Sequence, residues 1–319
     1  MSERAVELNP AQQDVLDVLG SLRDGRPVFD AGLRHDLRIE LEDGLAPVVT
    51  ALDDVDDTET LWVSKHALAT VHGCEVRFLA EDAIGFAGWS VPTARGTVAH
   101  KAIELSVHWR GAPTPMELTD EAIARLTETA TGPTALAAWL QGLSDVERAE
   151  LRAQVNDHVA KFLECFPPLR ARWRPVTEAK LRQSLCGERI VLAGKADLTL
   201  GMASGTTAGK VLIDLKTGGF APAHLDDLRF YALVEAMRMG VPPRRLATYY
   251  LDAGRLMAED VTEAMLRSTT ARVIDGAARM VALRHGGAQP VLRPGPACRW
   301  CPKLAECETG RSHLSQREA

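Results

Sequence analysis

Three short segments between residues 177 and 218 place the strongest constraint on the fold of this chain. "TEAKLRQSL", "IVLAGKADLTL" and "KVLIDLKTG" alternate in part between apolar and polar residues, and clusters of Gly or Ser separate them. Alternation with a period of two is typical of strands, and turn residues between such runs favour a meander. Helical periodicity precedes these segments, and a helix and a fourth strand, "RLATYYLD", follow them. This order predicts an α/β or α+β domain rather than a doubly wound nucleotide-binding fold.

Composition and charge exclude several classes of protein. Of the 319 residues, 46% are hydrophobic and 25% are charged, which are the proportions of a soluble globular protein. No stretch approaches the run of about 18 apolar residues that a membrane span needs, and the polar N-terminus lacks the apolar core of a signal peptide, so we expect a cytoplasmic protein. The net charge of −6 argues against general affinity for nucleic acid but not against a local basic groove. No Gly-rich phosphate loop of the ATPase type is present.

Helices are expected over most of the chain before the meander. Residues 9–22, 63–82 and 94–109 have helical spacing, residues 116–165 have it with several turn signals, and Ser64 is a suitable N-cap. Two further helices are predicted at 224–240 and 261–286. The acidic residues 52–59 are typical of an exposed linker. We therefore divide the chain into a helical and acidic extension (1–60) and a main domain (61–319), with a helical insertion at about 116–165.

Two carboxylates and a lysine lie on neighbouring predicted strands. Asp197 is near the end of one strand, and the next strand carries Asp214 and Lys216. Residues two apart in a strand share a face, so Asp214 and Lys216 point the same way while Leu215 faces the core. The carboxylates can bind a hard cation such as Mg²⁺, and the lysine can orient a water molecule or stabilise charge on a phosphate. Most Asp-x-Lys pairs are surface ion pairs, but the aliphatic run before Asp214 favours a buried site.

Three cysteines lie close together near the C-terminus, in "PACRWCPKLAEC" (296–307). In a reducing compartment such a cluster indicates metal binding rather than disulfides. Cys298, Cys301 and Cys307 supply three thiolates, whereas a zinc ion or a [4Fe–4S] cluster needs four ligands. The candidates for the fourth ligand are Cys74, Cys165, Cys186 and, for zinc, His313.

Several motifs, in order, resemble the RecB-type PD-(D/E)XK nucleases of the iron–sulfur branch. That branch includes the CRISPR-associated RecB-like exonucleases and the nuclease domain of the AddB helicase–nuclease subunit. The motifs are "SKHALATVHGCEVRFLAE", "ARGTVAHKAIEL", "GKADLTL", "VLIDLKTG", "DDLRFYALV" and "CRWCPKLAEC", and the resemblance spans residues 61–310. It implies a restriction-endonuclease-like α/β core, with a mixed central sheet flanked by helices, helical N-terminal and inserted segments, and a C-terminal iron–sulfur cluster loop.

The resemblance also implies roles for individual residues. The implied catalytic residues are Asp197, Asp214 and Lys216. The implied ligands of Mg²⁺ or Mn²⁺ are His100, Asp197, Asp214 and the backbone carbonyl of Leu215. The implied ligands of a [4Fe–4S] cluster are Cys74, Cys298, Cys301 and Cys307. Glu104, one turn after His100, is expected to support it, and Tyr231 is expected to contact DNA.

Two further features bear on nucleic-acid binding. The basic run at 169–183, with Arg172 and Arg174, is expected to line the path of the strand, although most such runs are solvated surface. Asp227 stands where the family has a glutamine, and a carboxylate there would repel phosphate unless it faces a cation.

The resemblance implies a Mg²⁺- or Mn²⁺-dependent deoxyribonuclease. We expect an exonuclease acting on single-stranded DNA or DNA ends in repair, recombination or defence, with a helicase or a recombination or CRISPR protein as a possible partner. The alternative is a catalytically weak or inactive DNA-binding or assembly subunit that partners a helicase or another nuclease, with structural zinc at the cysteines. Asp227 and the acidic N-terminal segment favour the alternative, whereas Asp197, Asp214 and Lys216 together favour the enzyme.

Overall fold

A central sheet lies between two layers of helices. The computed structural model describes residues 7–20, 25–56, 58–86, 88–129, 135–221 and 223–318. The helices are α1 (Pro10–Leu19), α2 (Leu33–Asp53), α3 (Lys65–Gly73), α4 (Glu75–Ile84), α5 (Val91–Val107), α6 (Pro115–Thr129), α7 (Leu136–Gln141), α8 (Asp145–Cys165), α9 (Ala223–Met239), α10 (Glu263–Arg284) and α11 (Glu308–Glu318). The strands are β1 (Leu61–Val63), β2 (Val176–Leu185), β3 (Ile190–Leu200), β4 (Val211–Lys216), β5 (Arg245–Tyr250) and β6 (Arg255–Asp260). This arrangement confirms the predicted α/β class with a mixed central sheet.

The sheet is mixed, and β3 is its branch point. The strand order is β1–β3–β4–β5–β6, and β2 pairs with β3 along almost its whole length. Strands β2, β3 and β4 pair antiparallel in succession, as the meander prediction requires. The β1–β3 and β4–β5 pairs are parallel, and β6 closes the sheet antiparallel to β5. Because β2 covers one edge of β3, strands β1 and β4 share the other edge.

Each face of the sheet has its own hydrophobic core. Helices α2, α3, α4, α9 and α10 cover one face, where they pack with Leu212 of β4. Helices α1 and α5–α8 cover the other face, where Ile213 and Leu215 are buried. Since successive side chains of a strand alternate, Asp214 and Lys216 lie on the same side as Leu212. The predicted burial of Leu215 and the common direction of Asp214 and Lys216 are therefore confirmed.

Helix α2 joins the N-terminal region to the first of these cores. Its buried residues recur on one face of the helix: Leu33, Leu37, Leu41, Leu45, Val48 and Leu52. Gly44 lets α2 approach α10 closely, because a Cβ at this position would lie 2.4 Å from Ile274 Cδ1. The predicted linker at 52–59 is helical as far as Asp53. The division of the chain at residue 60 stays a prediction, although α2 packs on the same core as the elements that follow it.

The helix predicted over 63–82 is interrupted at Cys74. Ser64 caps α3 as predicted, since its Oγ accepts a hydrogen bond from the backbone N of Ala67. Cys74 is extended (φ −151°, ψ 114°), and α4 begins directly after it. The break leaves the Cys74 side chain at a junction between two helices rather than on a helical face.

The remaining predicted elements agree with the structure, and two strands were missed. The helices predicted at 94–109, 224–240 and 261–286 correspond to α5, α9 and α10, and residues 116–165 form α6, α7 and α8. Strand β1 has only three residues, and β6 is a polar edge strand, so neither carries a clear alternation of apolar residues. Within the described ranges, every helix is too short or too polar to cross a membrane.

Candidate active site

The candidate active site lies where the sheet forks. Strands β1 and β4 pair with the same edge of β3. The pairing with β1 ends at Leu192, and the pairing with β4 begins at Leu198. Among the described residues, no strand pairs with this edge of β3 between these two positions. Side chains satisfy two backbone groups at the fork. Asp197 Oδ2 accepts a hydrogen bond from Leu215 N (2.8 Å), and the Tyr231 hydroxyl accepts one from Lys195 N (3.4 Å). Because buried backbone groups need partners, the fork requires polar side chains at this point.

Three potential metal ligands converge beside the fork. His100 of α5, Glu178 of β2 and Asp197 of β3 each place one ligand atom within 4.8 Å of the others. His100 Nε2 lies 3.0 Å from the carbonyl oxygen of Leu215, so this nitrogen carries the proton and donates it. The other ring nitrogen, Nδ1, lies 3.4 Å from Asp197 Oδ1. Two carboxylates and an imidazole fit a divalent cation such as Mn²⁺ or Mg²⁺.

The charge of Asp197 governs the protonation of His100. Burial of the imidazole favours its neutral form, but the neighbouring carboxylate of Asp197 outweighs burial and raises the pKa of His100 above its ordinary value. A cation bound by these residues would therefore compete with a proton on His100.

Glu178 was not predicted from the sequence. The β2–β3 register pairs Thr177 with Leu198 and Ala179 with Ala196, which places Glu178 across from Asp197. Glu178 has φ +54°, a left-handed conformation that is uncommon outside glycine, and its carboxylate forms an ion pair with Lys195. Counting back from the tight turn between β2 and β3 would have revealed this carboxylate, because the turn fixes the register of the hairpin.

Asp214 lies beside this group but does not belong to it. Its Oδ1 is 2.8 Å from Lys65 Nζ, and its Oδ2 is 2.9 Å from Lys216 Nζ. The side chain is only 2% exposed, and burial alone would raise its pKa. The two ammonium groups outweigh burial and lower the pKa of Asp214 below its ordinary value, so the carboxylate is ionised at neutral pH. The structure thus brings Asp214 and Lys216 together as predicted, while the role of Asp214 as a metal ligand stays a prediction.

Lys65 is a member of the site that the sequence analysis missed. It is the first residue of α3, and its Nζ lies 4.9 Å from the centre of the Tyr231 ring. Burial alone would lower the pKa of Lys65, but Asp214 outweighs burial and raises it, so Lys65 stays charged and cannot act as a base. The sequence gives one indication that Lys65 belongs to the site: it directly follows the N-cap Ser64, within the first motif of the family resemblance.

Asp227 meets the condition under which a carboxylate is tolerated here. Its Oδ2 lies 3.3 Å from Lys216 Nζ and 3.6 Å from Lys65 Nζ. Two ammonium groups and two carboxylates therefore alternate around the end of β4, and this balance removes the expected repulsion of phosphate by an uncompensated Asp227.

Tyr231 is packed in the core, and its predicted contact with DNA stays a prediction. The side chain is 3% exposed, and its ring occupies space that Gly194 leaves open, because a Cβ at Gly194 would lie 2.3 Å from Tyr231 Cε1. The ring packs with the core and the hydroxyl accepts a hydrogen bond from Lys195 N, so only a small part of Tyr231 is accessible in this structure.

Glu104 and the two predicted arginines also differ from expectation. Glu104 lines the same cleft as His100, but its carboxylate binds Lys101 Nζ (2.8 Å). Arg172 and Arg174 do not line this cleft; they border a separate cavity at the other end of the sheet. The basic run was thus correctly identified as exposed, but tertiary structure places these two arginines away from the candidate site.

The candidate site opens into a large cleft of about 1410 Å³. Its walls include three exposed aromatic side chains from three different loops: Phe86 (54% exposed), Phe220 (57%) and Trp300 (68%). Cationic side chains also line it: Lys101, Lys195, Lys216 and Arg299. The cleft therefore combines flat apolar surfaces with cationic side chains, of which Lys101 pairs with Glu104 and Lys195 with Glu178.

The four predicted cluster cysteines line one cavity of about 330 Å³: Cys74, Cys298, Cys301 and Cys307. Backbone N–H groups of Gly295 and Gly310 donate to the Sγ atoms of Cys298 and Cys307 (3.4 and 3.3 Å). Burial, to which the nearness of Cys74 adds, raises the pKa of the Cys301 thiol. Among the described residues, however, no three cysteine sulfurs lie within 4.8 Å of one another.

The other candidates for a fourth ligand lie elsewhere. Cys165 ends α8 next to Gly254, and Cys186 is in the turn between β2 and β3. His313 of α11 does not line the cysteine cavity.

Comparison with known proteins identifies the class of this chain. Residues 63–308 match the PD-(D/E)XK nuclease superfamily, and the chain belongs to it. The core is therefore restriction-endonuclease-like, and nucleic acid is the class of substrate on which this superfamily acts. The matched range includes His100, Glu178 and Asp197 and the lysines around Asp214.

Two solved structures are distantly similar. One is a candidate exonuclease from Eubacterium rectale, at 13% identity and a TM-score of 0.43, with 79% of this chain and 87% of that chain covered. The other is the protein SSO0001, at 13% identity and a TM-score of 0.38, with 85% of this chain and 95% of that chain covered. No curated protein is significantly similar in sequence. Both TM-scores lie below 0.5, so we base no functional assignment on these two structures.

Proposed function

We propose that the protein is a Mg²⁺- or Mn²⁺-dependent deoxyribonuclease that hydrolyses phosphodiester bonds. The observation that carries this proposal is the convergence of His100, Glu178 and Asp197 within 4.8 Å of one another, with His100 and Glu178 in the wall of the large cleft. Membership of a nuclease superfamily supplies the class of reaction, and the site supplies residues of the chemistry that this reaction needs.

The side chains around β4 have different roles in the proposed reaction. A divalent cation held by His100, Glu178 and Asp197 would polarise the phosphate and lower the pKa of a bound water molecule. Lys216 lines the cleft, where its ammonium group can orient the attacking water and stabilise charge on the phosphate. Lys65 remains charged, and its hydrogen bond to Asp214 Oδ1 favours the ionised form of this carboxyl group. Water attacks phosphorus and gives up a proton to solvent, the bond between phosphorus and the 3′ oxygen breaks, and that oxygen takes up a proton from solvent, which leaves a 5′-phosphate and a 3′-hydroxyl.

The cleft favours single-stranded DNA or frayed ends as substrate. Every base offers a face to an aromatic ring, and each stack contributes about 1–3 kcal/mol, but only unpaired bases are free to stack. Phe86, Phe220 and Trp300 are exposed in the wall of the cleft, and Lys101, Lys195 and Arg299 line the same cleft, where they can meet the backbone. A paired duplex would leave these rings without partners.

The cysteines support a place in the iron–sulfur branch of RecB-like nucleases. In a tetrahedral zinc site with Zn–S bonds of about 2.3 Å, thiolates lie about 3.8 Å apart. Among the described residues no three cysteine sulfurs lie within 4.8 Å of one another, whereas Cys74 and the three C-terminal cysteines line one cavity. In a [4Fe–4S] cluster each thiolate binds a different iron, so the thiolates are further apart than around one zinc ion. We propose a [4Fe–4S] cluster held by these four cysteines, with structural zinc as the alternative.

The proposed role is end processing in DNA repair, recombination or defence, with a helicase or recombination protein as partner. Asp227 no longer favours an inactive assembly subunit, since it faces Lys65 and Lys216.

Digestion of end-labelled DNA tests the proposal. Wild-type protein is incubated with single- and double-stranded substrates in Mn²⁺ or Mg²⁺, with an EDTA control. Asp197→Asn and Lys216→Met should each lower the rate by about 100-fold or more, because they remove a metal ligand and a cation at the phosphate. Asp120→Asn is the matched control. Asp120 is an exposed residue of α6 whose carboxylate pairs with Arg152, so its substitution should leave the rate unchanged.

The outcomes separate the two functions. Full activity of Asp197→Asn, or cleavage that survives EDTA, would remove the metal group from the mechanism. Metal-dependent binding of DNA without cleavage by the wild-type protein would favour the assembly subunit instead.

A further inference from the structure

A second cavity, of about 750 Å³, lies at the opposite end of the sheet from the candidate active site. Val211, the first residue of β4, and Arg244, directly before β5, contribute to its wall. Lys216 ends β4 on the other side, and a strand of this length spans about 17 Å. The cavity is therefore separate from the cleft, although the same strand reaches both.

Arginines dominate this cavity. Four of them line it: Arg26, Arg172, Arg174 and Arg244. None of the described residues in its wall carries a carboxylate. Four positive charges with no carboxylate among the described wall residues repel one another, and a bound anion would relieve this repulsion.

Arg244 is the least solvated member of this group. It is 7% exposed, one of its Nη atoms donates to the carbonyl of Leu19, and its Nε is buried without a hydrogen-bond partner. The buried Nε of Arg26 likewise lacks a partner. The nearest carboxylate that acts on Arg244 is Asp260, which is itself bound to Arg245 (2.8 Å). Two donors are thus left unsatisfied beside the cavity.

The electrostatics agree with this geometry. Burial, and then the charges of Arg245 and Arg26, lower the pKa of Arg244 to about 10. The guanidinium remains protonated at neutral pH, so the repulsion persists in the folded protein and an anion would relieve it.

The geometry points to a phosphate-bearing ligand bound in this cavity by Arg26, Arg172, Arg174 and Arg244. Guanidinium groups match phosphate oxygens in pairs, and a volume of this size is typical of a small-molecule site. Trp173 also lines the cavity and offers a ring to a base. Two sources share this chemistry, a free nucleotide and the backbone of a nucleic-acid strand. The inference does not depend on the proposed nuclease activity.

The test measures binding in EDTA, without any divalent metal. Isothermal titration with pyrophosphate compares the wild-type protein with Arg172→Glu and Arg174→Glu, two exposed positions where substitution should not disturb folding. Arg110→Glu is the matched control, because Arg110 is also exposed and borders neither cavity. We expect pyrophosphate to bind the wild type and the control equally and each cavity variant at least about tenfold more weakly.

A buried variant gives a second readout. Arg244→Lys keeps the charge but loses the fork of donors, so it should weaken pyrophosphate binding, measured at a temperature where circular dichroism shows the variant and the wild type to be folded. ADP and single-stranded oligonucleotides of increasing length then identify the source. Tighter binding of ADP indicates a free nucleotide, and displacement of pyrophosphate that improves with oligonucleotide length indicates a strand backbone. Absence of pyrophosphate binding, or equal binding by all variants, would overturn the inference, and loss of nuclease activity would not affect it.

Discussion

Glu75 offers a quantitative test of how the C-terminal segment is held. It is the first residue of α4, directly after Cys74, and is 3% exposed. Its carboxylate accepts two hydrogen bonds from Arg279 of α10 (2.8 and 2.6 Å) and one from the backbone N of Val291 (2.6 Å). One side chain thus connects α4, α10 and the segment that leads to the cysteines. We predict that Glu75→Gln destabilises the fold.

The size of the effect follows from the pKa of Glu75. Hydrogen bonds from Arg279 and then from the Val291 backbone outweigh burial and lower this pKa from 4.5 to about 2. A shift of that size corresponds to about 3 kcal/mol of stabilisation by the ionised carboxylate. Glutamine keeps one acceptor oxygen but no charge, so we expect the free energy of unfolding to fall by about 2–3 kcal/mol at neutral pH.

The pH dependence has a definite sign. Because the folded-state pKa is below the unfolded value of 4.5, the contribution of Glu75 is complete above that pH and is lost as pH falls towards 2. Urea unfolding of the wild type and Glu75→Gln at pH 7 and pH 3 should show a difference that shrinks by about half or more at pH 3.

An exposed ion pair provides the control. Glu263→Gln removes the partner of Arg267 on the surface of α10 and should cost less than about 0.5 kcal/mol at either pH. The reasoning fails if Glu75→Gln is no more destabilising than Glu263→Gln, or if its effect is the same at both pH values.

Three further predictions concern the cleft and the cysteines. Lys65→Met should lower kcat on single-stranded DNA by about 10- to 100-fold, because Asp214 loses one of its two cations, and an unchanged kcat would remove Lys65 from the site. Phe220→Ala should raise KM for single-stranded DNA by about tenfold with little change in kcat, whereas Trp62→Ala, an exposed ring of β1 outside the cleft, should change neither in steady-state assays. Cys301→Ser should lower the iron content and visible absorbance of the purified protein, and a colourless wild type that holds zinc would contradict the cluster.

The meander could be predicted from the sequence because local signals determine it. Alternation within each segment and turn residues between them place β2, β3 and β4 next to one another, so the closeness of Asp197 to Leu215 followed from neighbouring strands alone. The aliphatic run before Asp214 likewise predicted its burial, because a carboxylate in such a run cannot face open solvent.

Contacts between segments that are distant in the sequence could not be predicted from local patterns. Lys65 meets Asp214 across 149 residues of sequence, and no periodicity links them. Arg172 and Arg174 were recognisable as cationic, but only the packed structure decides which cavity they face. Tyr231 lies on a helix whose exposed and buried faces the sequence did not separate, because α9 is buried over most of its length.

The fork of the sheet ties chemistry to folding at one residue. Asp197 accepts the hydrogen bond of Leu215 N where no neighbouring strand does so, and in the proposed mechanism the same carboxylate would also bind the cation. Asp197→Ala would leave the buried backbone N–H of Leu215 without a hydrogen-bond acceptor. Loss of activity in this variant could then come from local opening of the fold as well as from loss of the metal ligand. Faster amide exchange at Leu215 would detect such opening. A substitution that keeps an acceptor oxygen separates the two effects, and evolution of this corner is restricted to residues that can meet both demands.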